Sequence, residues 1–170
     1  QWALRESENR FRSLIENLTD LISVLTPDGV AVYESPALVS LLGYEAEELL
    51  GKNMFDFVHP EDAPGARGYF SEALKSAGAM LRPFEYRFRH KNGSWRTLQS
   101  VGKPFLDPER GLVAIITSRD VTEQKAVLEA GRESESQLGA IFDRATIGIV
   151  LVSPEGKVIR SNPALQKMLG

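Results

Sequence analysis

No cysteine occurs among the 170 residues. That excludes disulfides, thiolate nucleophiles, thiolate-ligated metals and covalent flavin–cysteinyl adducts, and it is compatible with a reducing compartment. Histidine is scarce too: His59 and His90 are the 2 in the chain. Neither stands at a metal-ligand spacing from another histidine or acid. No apolar run approaches the roughly 20 residues of a membrane span; the longest cover residues 112–116 and 147–152. Basic residues are outnumbered, 20 against 23 acidic ones, for a net charge of −3. A nucleic-acid-binding surface would need clustered positive charge to displace counterions, so that class is excluded. The chain opens at Gln1 without a secretory leader, and reads as an internal piece of something longer.

Motifs for nucleotide chemistry are missing as well. There is no G-x-x-x-x-G-K-[ST] loop, and "GARG" at 65–68 is only an echo of one. No H-E-x-x-x-P phosphoacceptor and no GG[DE]EF segment appear. The carboxylates of "EAEELL" and "ESES" read as solvated helix faces. No nucleophile–base pair or metal set can be assembled, so no catalysis is expected of this chain. What is present is 42% apolar and 25% charged residues, enough for the core of one ordinary domain with chain left over.

The remainder repeats the beginning. Residues 6–43 align with 133–170 without a gap at a constant offset of 127, and 12 of the 38 pairs are identical. Ordinary composition would give about two or three by chance. Pro27/Pro154, Gly29/Gly156 and the run Pro36-Ala37-Leu38/Pro163-Ala164-Leu165 are among them. An offset of this size suits a small domain plus linker, and the second copy is too short to bury a core by itself. It is therefore expected to fray, or to borrow strand pairing from another chain.

Periodicity supplies the elements. Residues 2–18 carry Phe11, Leu14, Ile15 and Leu18 at helical spacing. A β-prone run over 20–26, a Pro27-Asp28-Gly29 turn and a returning strand over 30–34 make a hairpin. Ser35 is the expected N-cap of a helix running to Gly43, with Pro36 at its first position. A short helix follows at 45–51, then a loop in which His59, before Pro60, is extended and Asp62 caps a helix from 64 to about 79. His90 is expected as a solvated edge residue. Phe84, Tyr86 and Phe88 alternate with charged residues, an Asn92-Gly93 turn follows, and strands at 95–105 and 112–118 complete the set. Two strands first and three last fit an α+β fold, a five-stranded antiparallel sheet with its helices on one face.

The ordered set "ENRFRSLIENLTDLISVLTPDGVAVYESPALVSLLGY", "ELLGKNMFDFVHPED", "FEYRFRHKNGSWRTLQSVGKPFLD" and "GLVAIITSRDVTEQK" resembles PAS domains, the small sensory modules of bacterial signalling proteins. The likeness covers residues 8–125, and 134–170 is similar to the start of a second such domain. It implies an N-terminal flanking helix at 1–18, a PAS domain at 19–120, a connector helix at 121–142 and a truncated second domain at 143–170. It further implies a cytoplasmic sensory or dimerisation role, with a homodimer formed through the flanking helices and signals passed along them. Tandem arrays of this kind commonly precede a histidine kinase core, the leading expectation for the parent, or a diguanylate cyclase.

The resemblance also implies a cavity between sheet and helices, open to a small-molecule ligand, for which the candidates are Ile22, Val24, Phe70, Leu74, Phe84, Tyr86, Phe88 and Ile116. The plainer reading of the same stripe is ordinary core. Relatives that bind haem take an axial His from the long helix; here 62–79 contains none, which disfavours haem. The flavin-photosensing relatives use a Cys, and that option is closed. Asp120, Val121 and Thr122 match the family's Asp–aliphatic–Thr triplet, which ties the last strand to the outgoing helix, often through a base near the central hairpin. Arg87, Arg89, Lys91 and Arg96 are the available bases. Read as chemistry alone, Asp120 or Thr122 would cap that helix. Trp2, Leu4, Phe11, Leu14 and Leu18 give the leading helix an apolar face. Val121, Leu128, Leu138 and Phe142 give the connector a weaker seam, which Gly131 and "ESES" are expected to interrupt.

Overall fold

The computed structural model describes residues 19–77 and 81–169, and the chain divides into two units after Thr122. The leading helix expected over 1–18, with Trp2, Leu4, Phe11, Leu14 and Leu18, lies outside the described residues.

The first unit begins with the expected hairpin, strands β1 (Leu21–Leu25) and β2 (Ala31–Glu34). Between them Gly29 takes φ 84°, and its amide donates to the Thr26 carbonyl at 2.8 Å. Only glycine fits there: a Cβ would lie 2.5 Å from the Phe55 ring, in a backbone region that L side chains avoid. Short helices α1 (Ala37–Leu42) and α2 (Ala46–Leu49) follow, then a 3₁₀ turn at Met54–Phe57 and the longer helix α3 (Ala63–Lys75). Three strands close the unit: β3 (Phe84–Arg89), β4 (Trp95–Asp107) and β5 (Gly111–Asp120).

All five strands form one antiparallel sheet in the order β2-β1-β5-β4-β3. The last strand thus inserts beside the first, so the core closes only when both ends of the domain are in place. Helix α3 lies over β3, β4 and β5, and α1 packs on β1. Leu38, Leu42, Leu49 and Leu98 are each 1% exposed, which puts the core between these helices and the sheet. The fold is the α+β, five-stranded antiparallel arrangement that the strand count implies.

Four local expectations need correction. Strand β1 turns Leu21, Ser23 and Leu25 inward and leaves Ile22 and Val24 half-buried on the other face. With apolar residues at 21, 22, 24 and 25, either parity buries two of them. The inward one wins because the Ser23 hydroxyl finds a partner inside, donating to the Glu34 carboxylate at 2.6 Å. Ser35 does not cap α1; its hydroxyl accepts from the Ile22 amide at 3.0 Å, stitching the hairpin to the helix entry. Asp62 does not cap α3. Its carboxylate accepts instead from the Arg87 amide and Nε, each at 2.8 Å, so a charged fork outcompetes a helix terminus. That guanidinium holds the Asp62 carboxyl down at about 2. His90 is half-buried rather than a solvated edge residue, its ring against Gly43.

The second unit consists of the remainder of α4 (Thr122–Arg144), strands β6 (Val150–Val152) and β7 (Val158–Ser161), and α5 (Pro163–Leu169). Helix α4 runs through Gly131 as one helix over the stretch expected to be the connector. Each of its internal glycines, Gly131 and Gly139, costs about 1 kcal/mol, and the helix-forming residues around them carry that cost. The β6–β7 hairpin reproduces the first one bond for bond. Thr26 and Val30 exchange a backbone bond and a hydroxyl contact, and Ser153 and Lys157 do the same. Gly156 takes φ 79° where Gly29 takes 84°. Asn162 stands where Ser35 does, accepting the Ile149 amide at 2.8 Å as Ser35 accepts that of Ile22. The duplication is therefore one of local geometry as well as sequence. The short copy forms its own paired hairpin rather than fraying. No helix of the described residues is long and apolar enough to cross a membrane.

Candidate functional site

Between α3, the 3₁₀ turn and the sheet lies a cavity of about 50 Å³, walled by Phe55 and Phe70 on the helical side and by Phe84, Tyr86, Phe88 and Ile116 on the sheet. A second compartment of about 40 Å³ lies against β1 and β2 and adds Ser23, Glu34 and Ser118. Leu25, Met54, Tyr86, Phe88 and Ile116 line both. Either compartment is far smaller than the roughly 300–1,000 Å³ of a drug-sized ligand site, and suits a molecule of a few heavy atoms.

Of the residues singled out from sequence, Phe70, Phe84, Tyr86, Phe88 and Ile116 meet around this cavity. Leu74 packs against the core without lining it. Ile22 and Val24 stand on the opposite face of β1, because an inward Ser23 fixes the strand's parity.

The missed residues are polar ones, Glu34, Ser23, Ser118 and Ser100, which stand in a row with the expected Tyr86. Across the inner face, in sheet order, stand Glu34, Ser23, Ser118, Ser100 and Tyr86, one from each strand. The Tyr86 hydroxyl lies 3.0 Å from Ser100 Oγ, which lies 2.6 Å from Ser118 Oγ. Desolvation of its hydroxyl end pushes the Tyr86 phenol up, while the serine hydrogen bonds oppose that. Glu34 is 6% exposed. Burial pushes its carboxyl up to about 7, against a smaller downward pull from the Ser23 hydrogen bond. Its Oε1 has no hydrogen-bond partner. Folding the hairpin about Pro27-Asp28-Gly29 places Ser23 opposite Glu34. That register was the sequence signal for this pair.

At the far end of β5, the triplet Asp120-Val121-Thr122 closes the sheet onto α4. Asp120 Oδ1 accepts from the Thr122 amide at 2.9 Å and from its hydroxyl. Thr97 on β4 holds the same turn from the side. Its amide donates to Thr122 Oγ1 and its carbonyl accepts from the Val121 amide, both at 2.9 Å. Val121 is buried beneath. Among the candidate bases, Arg96 is the one that faces Asp120, at 3.8 Å. Arg87 is engaged by Asp62 and Glu61, Lys91 bonds Glu48 at 2.7 Å, and Arg89 lies over the Phe57 ring. The Arg96 Nε is buried without a hydrogen-bond partner, so this pair is not drawn tight.

Comparison with known proteins gives the same architecture. A family model described as PAS fold matches residues 31–119. The methyl sulfide methyltransferase-associated sensor of Methanosarcina acetivorans is 31% identical over 140 residues, covering 82% of this chain and 14% of that protein. The chain thus spans a small fraction of that relative's length. The PAS domain of an HTR-like protein from Haloarcula marismortui superposes with TM-score 0.59 at 28% identity, covering 68% of this chain and 98% of that one. A domain of the sensory box sensor histidine kinase/response regulator from Geobacter sulfurreducens is 24% identical with TM-score 0.53, covering 69% and 96%, a likeness of fold alone.

Proposed function

The chain belongs to the PAS family, and on that premise we propose that it is a non-catalytic relay module. It would convert a change at the inner sheet face into a change in the geometry of α4. The observation that carries this reading is the closure at Asp120, Thr97 and Thr122. One short set of hydrogen bonds joins the last strand to the first turn of a helix 23 residues long. A helix cap of this kind is worth about 0.5–2 kcal/mol, small enough for a modest change in the sheet to open or close it. The loose Arg96–Asp120 approach leaves room for a second, tighter state.

The parent in this reading is a cytoplasmic sensor histidine kinase. The Methanosarcina relative, itself named a sensor, favours the sensory part of this reading. Residues 143–170 would open a second PAS module, as the matched hairpins suggest. The parent would dimerise along α4, whose Leu128 and Leu138 are 55% and 63% exposed.

The full-length parent carrying Asp120→Ala tests the relay. Its fold, followed by circular dichroism, is expected to be unchanged. The stimulus-dependent change in autophosphorylation is expected to fall about fivefold or more, the lower end of ordinary coupling energies. Unchanged regulation would remove the role given to Asp120. Diguanylate synthesis instead of autophosphorylation would replace the kinase, and a monomeric parent in sedimentation velocity would dispose of the α4 dimer.

A further inference from the structure

Burying a carboxylate is expensive unless a cation or several donors compensate it. Glu34 has one donor, the Ser23 hydroxyl on Oε2, and an Oε1 with no hydrogen-bond partner. Its compartment is otherwise lined by aliphatic and aromatic side chains, two serines and Tyr86. Among the described residues, no Lys, Arg or His lines either compartment. The described residues bring no cation to this acid. Ser118 Oγ is occupied with Ser100, which in turn lies against Tyr86, so the serine row does not satisfy it either. A second polar atom without a hydrogen-bond partner, the Tyr69 hydroxyl, belongs to a residue lining the aromatic compartment.

We propose that the paired compartments are the binding site of a small primary ammonium compound, its N–H donors on Glu34 Oε1 and its short tail among Met54, Phe88 and Ile116. This rests on the sensory reading above and deepens it by naming the ligand's chemistry. The cation supplies the charge that desolvation of Glu34 otherwise lacks, and the cavity size restricts the tail to a few heavy atoms. The tail lies along residues shared by both compartments, so the aromatic end selects for length and the acid for charge. Occupancy would pull on β2 and β1, and β1 is hydrogen-bonded directly to β5, the strand that ends at Asp120.

The proton is the competitor. The other titratable groups facing the two compartments are Tyr86 from β3 and Tyr69 from α3. Burial pushes the Tyr86 phenol up, so it keeps its proton at neutral pH. Glu34 is protonated below about 7 and must ionise to hold the ammonium group. Affinity should therefore rise as pH rises through that value.

Calorimetric titration of the 170-residue chain with ethylammonium chloride at constant ionic strength tests this, with ethanol as the neutral isostere. Saturable binding is expected, about tenfold tighter near pH 8 than near pH 6 for an acid with a pKa of about 7. Ethanol, and the Glu34→Gln variant with ethylammonium, are expected to bind at least about tenfold more weakly. The pH series and the ethanol comparison use the wild-type chain, so they stand even if the variant does not fold. Absence of saturable binding, binding indifferent to pH, or equal affinity for ethanol overturns the assignment. An Asp120-dependent response that persists after such a result would leave the relay intact and remove the ammonium ligand alone.

Discussion

Phe88→Ala is expected to destabilise the first unit by about 3–5 kcal/mol, the usual range for deleting a buried aromatic side chain. Phe88 is 5% exposed and stacks on Phe57 with ring centroids 5.7 Å apart. It also lines both compartments of the inner cavity. Truncation removes the transfer energy of the ring and joins two small voids into a larger one, and the cavity term grows with that volume. Relaxation is restrained because β3 is hydrogen-bonded to β4 along Phe84–Arg89, and Val58 bridges to Phe88 from the loop above. Domains of this size hold about 5–15 kcal/mol in all, so a large share of the total is at stake. The transition should fall by at least about 10 °C in thermal melts. Phe88→Leu, which keeps most of the volume, is expected to lose less than half as much. A cost for Phe88→Ala below about 1 kcal/mol would mean that the site collapses freely, and that the cavity is not held open by the surrounding rings.

The architecture was legible where side-chain type and periodicity agree. Phe84, Tyr86 and Phe88 alternate with charges, and no parity other than theirs buries three aromatics. Two strands at the front and three at the back leave few antiparallel arrangements. The Asp120-Val121-Thr122 triplet could be placed because strand end, cap and helix start coincide in three residues. Legibility failed where polar groups decide. In β1 the apolar pattern is the same in either parity, and the deciding contact is a serine bonded to a glutamate eleven positions away. The Asp62 carboxylate had two suitors, a helix terminus nearby and Arg87 twenty-five residues on. A guanidinium fork supplies more hydrogen bonds than a helix end, but only the folded chain brings it within reach. Glu34 drew no attention at the end of its strand, since glutamate is almost never buried without a partner, yet it is 6% exposed. That departure from the rule is the observation on which the proposed ammonium site rests.

Glu34 has a consequence for the whole domain's stability. In the unfolded chain its carboxyl ionises at its ordinary value of 4.5, whereas in the folded protein it does so at about 7. Between those values the folded state holds a proton that the unfolded state has lost, so raising the pH favours unfolding. The stability Glu34 contributes is full below 4.5 and is lost by the time pH passes about 7. A shift of this size corresponds to about 3 kcal/mol, at about 1.4 kcal/mol per unit. The opposing acid, Asp62, is held down at about 2 from 3.8, and its contribution is gained at lower pH, outside this window. Urea denaturation of the wild type is therefore expected to show stability falling by about 2–3 kcal/mol from near pH 5 to near pH 8. The Glu34→Gln variant, neutral throughout, should follow a nearly flat line and exceed the wild type above neutrality. A parallel decline in both proteins would place the titrating group elsewhere. A cation bound at Glu34 flattens the wild-type curve from its alkaline end, because it stabilises the ionised form that burial penalises.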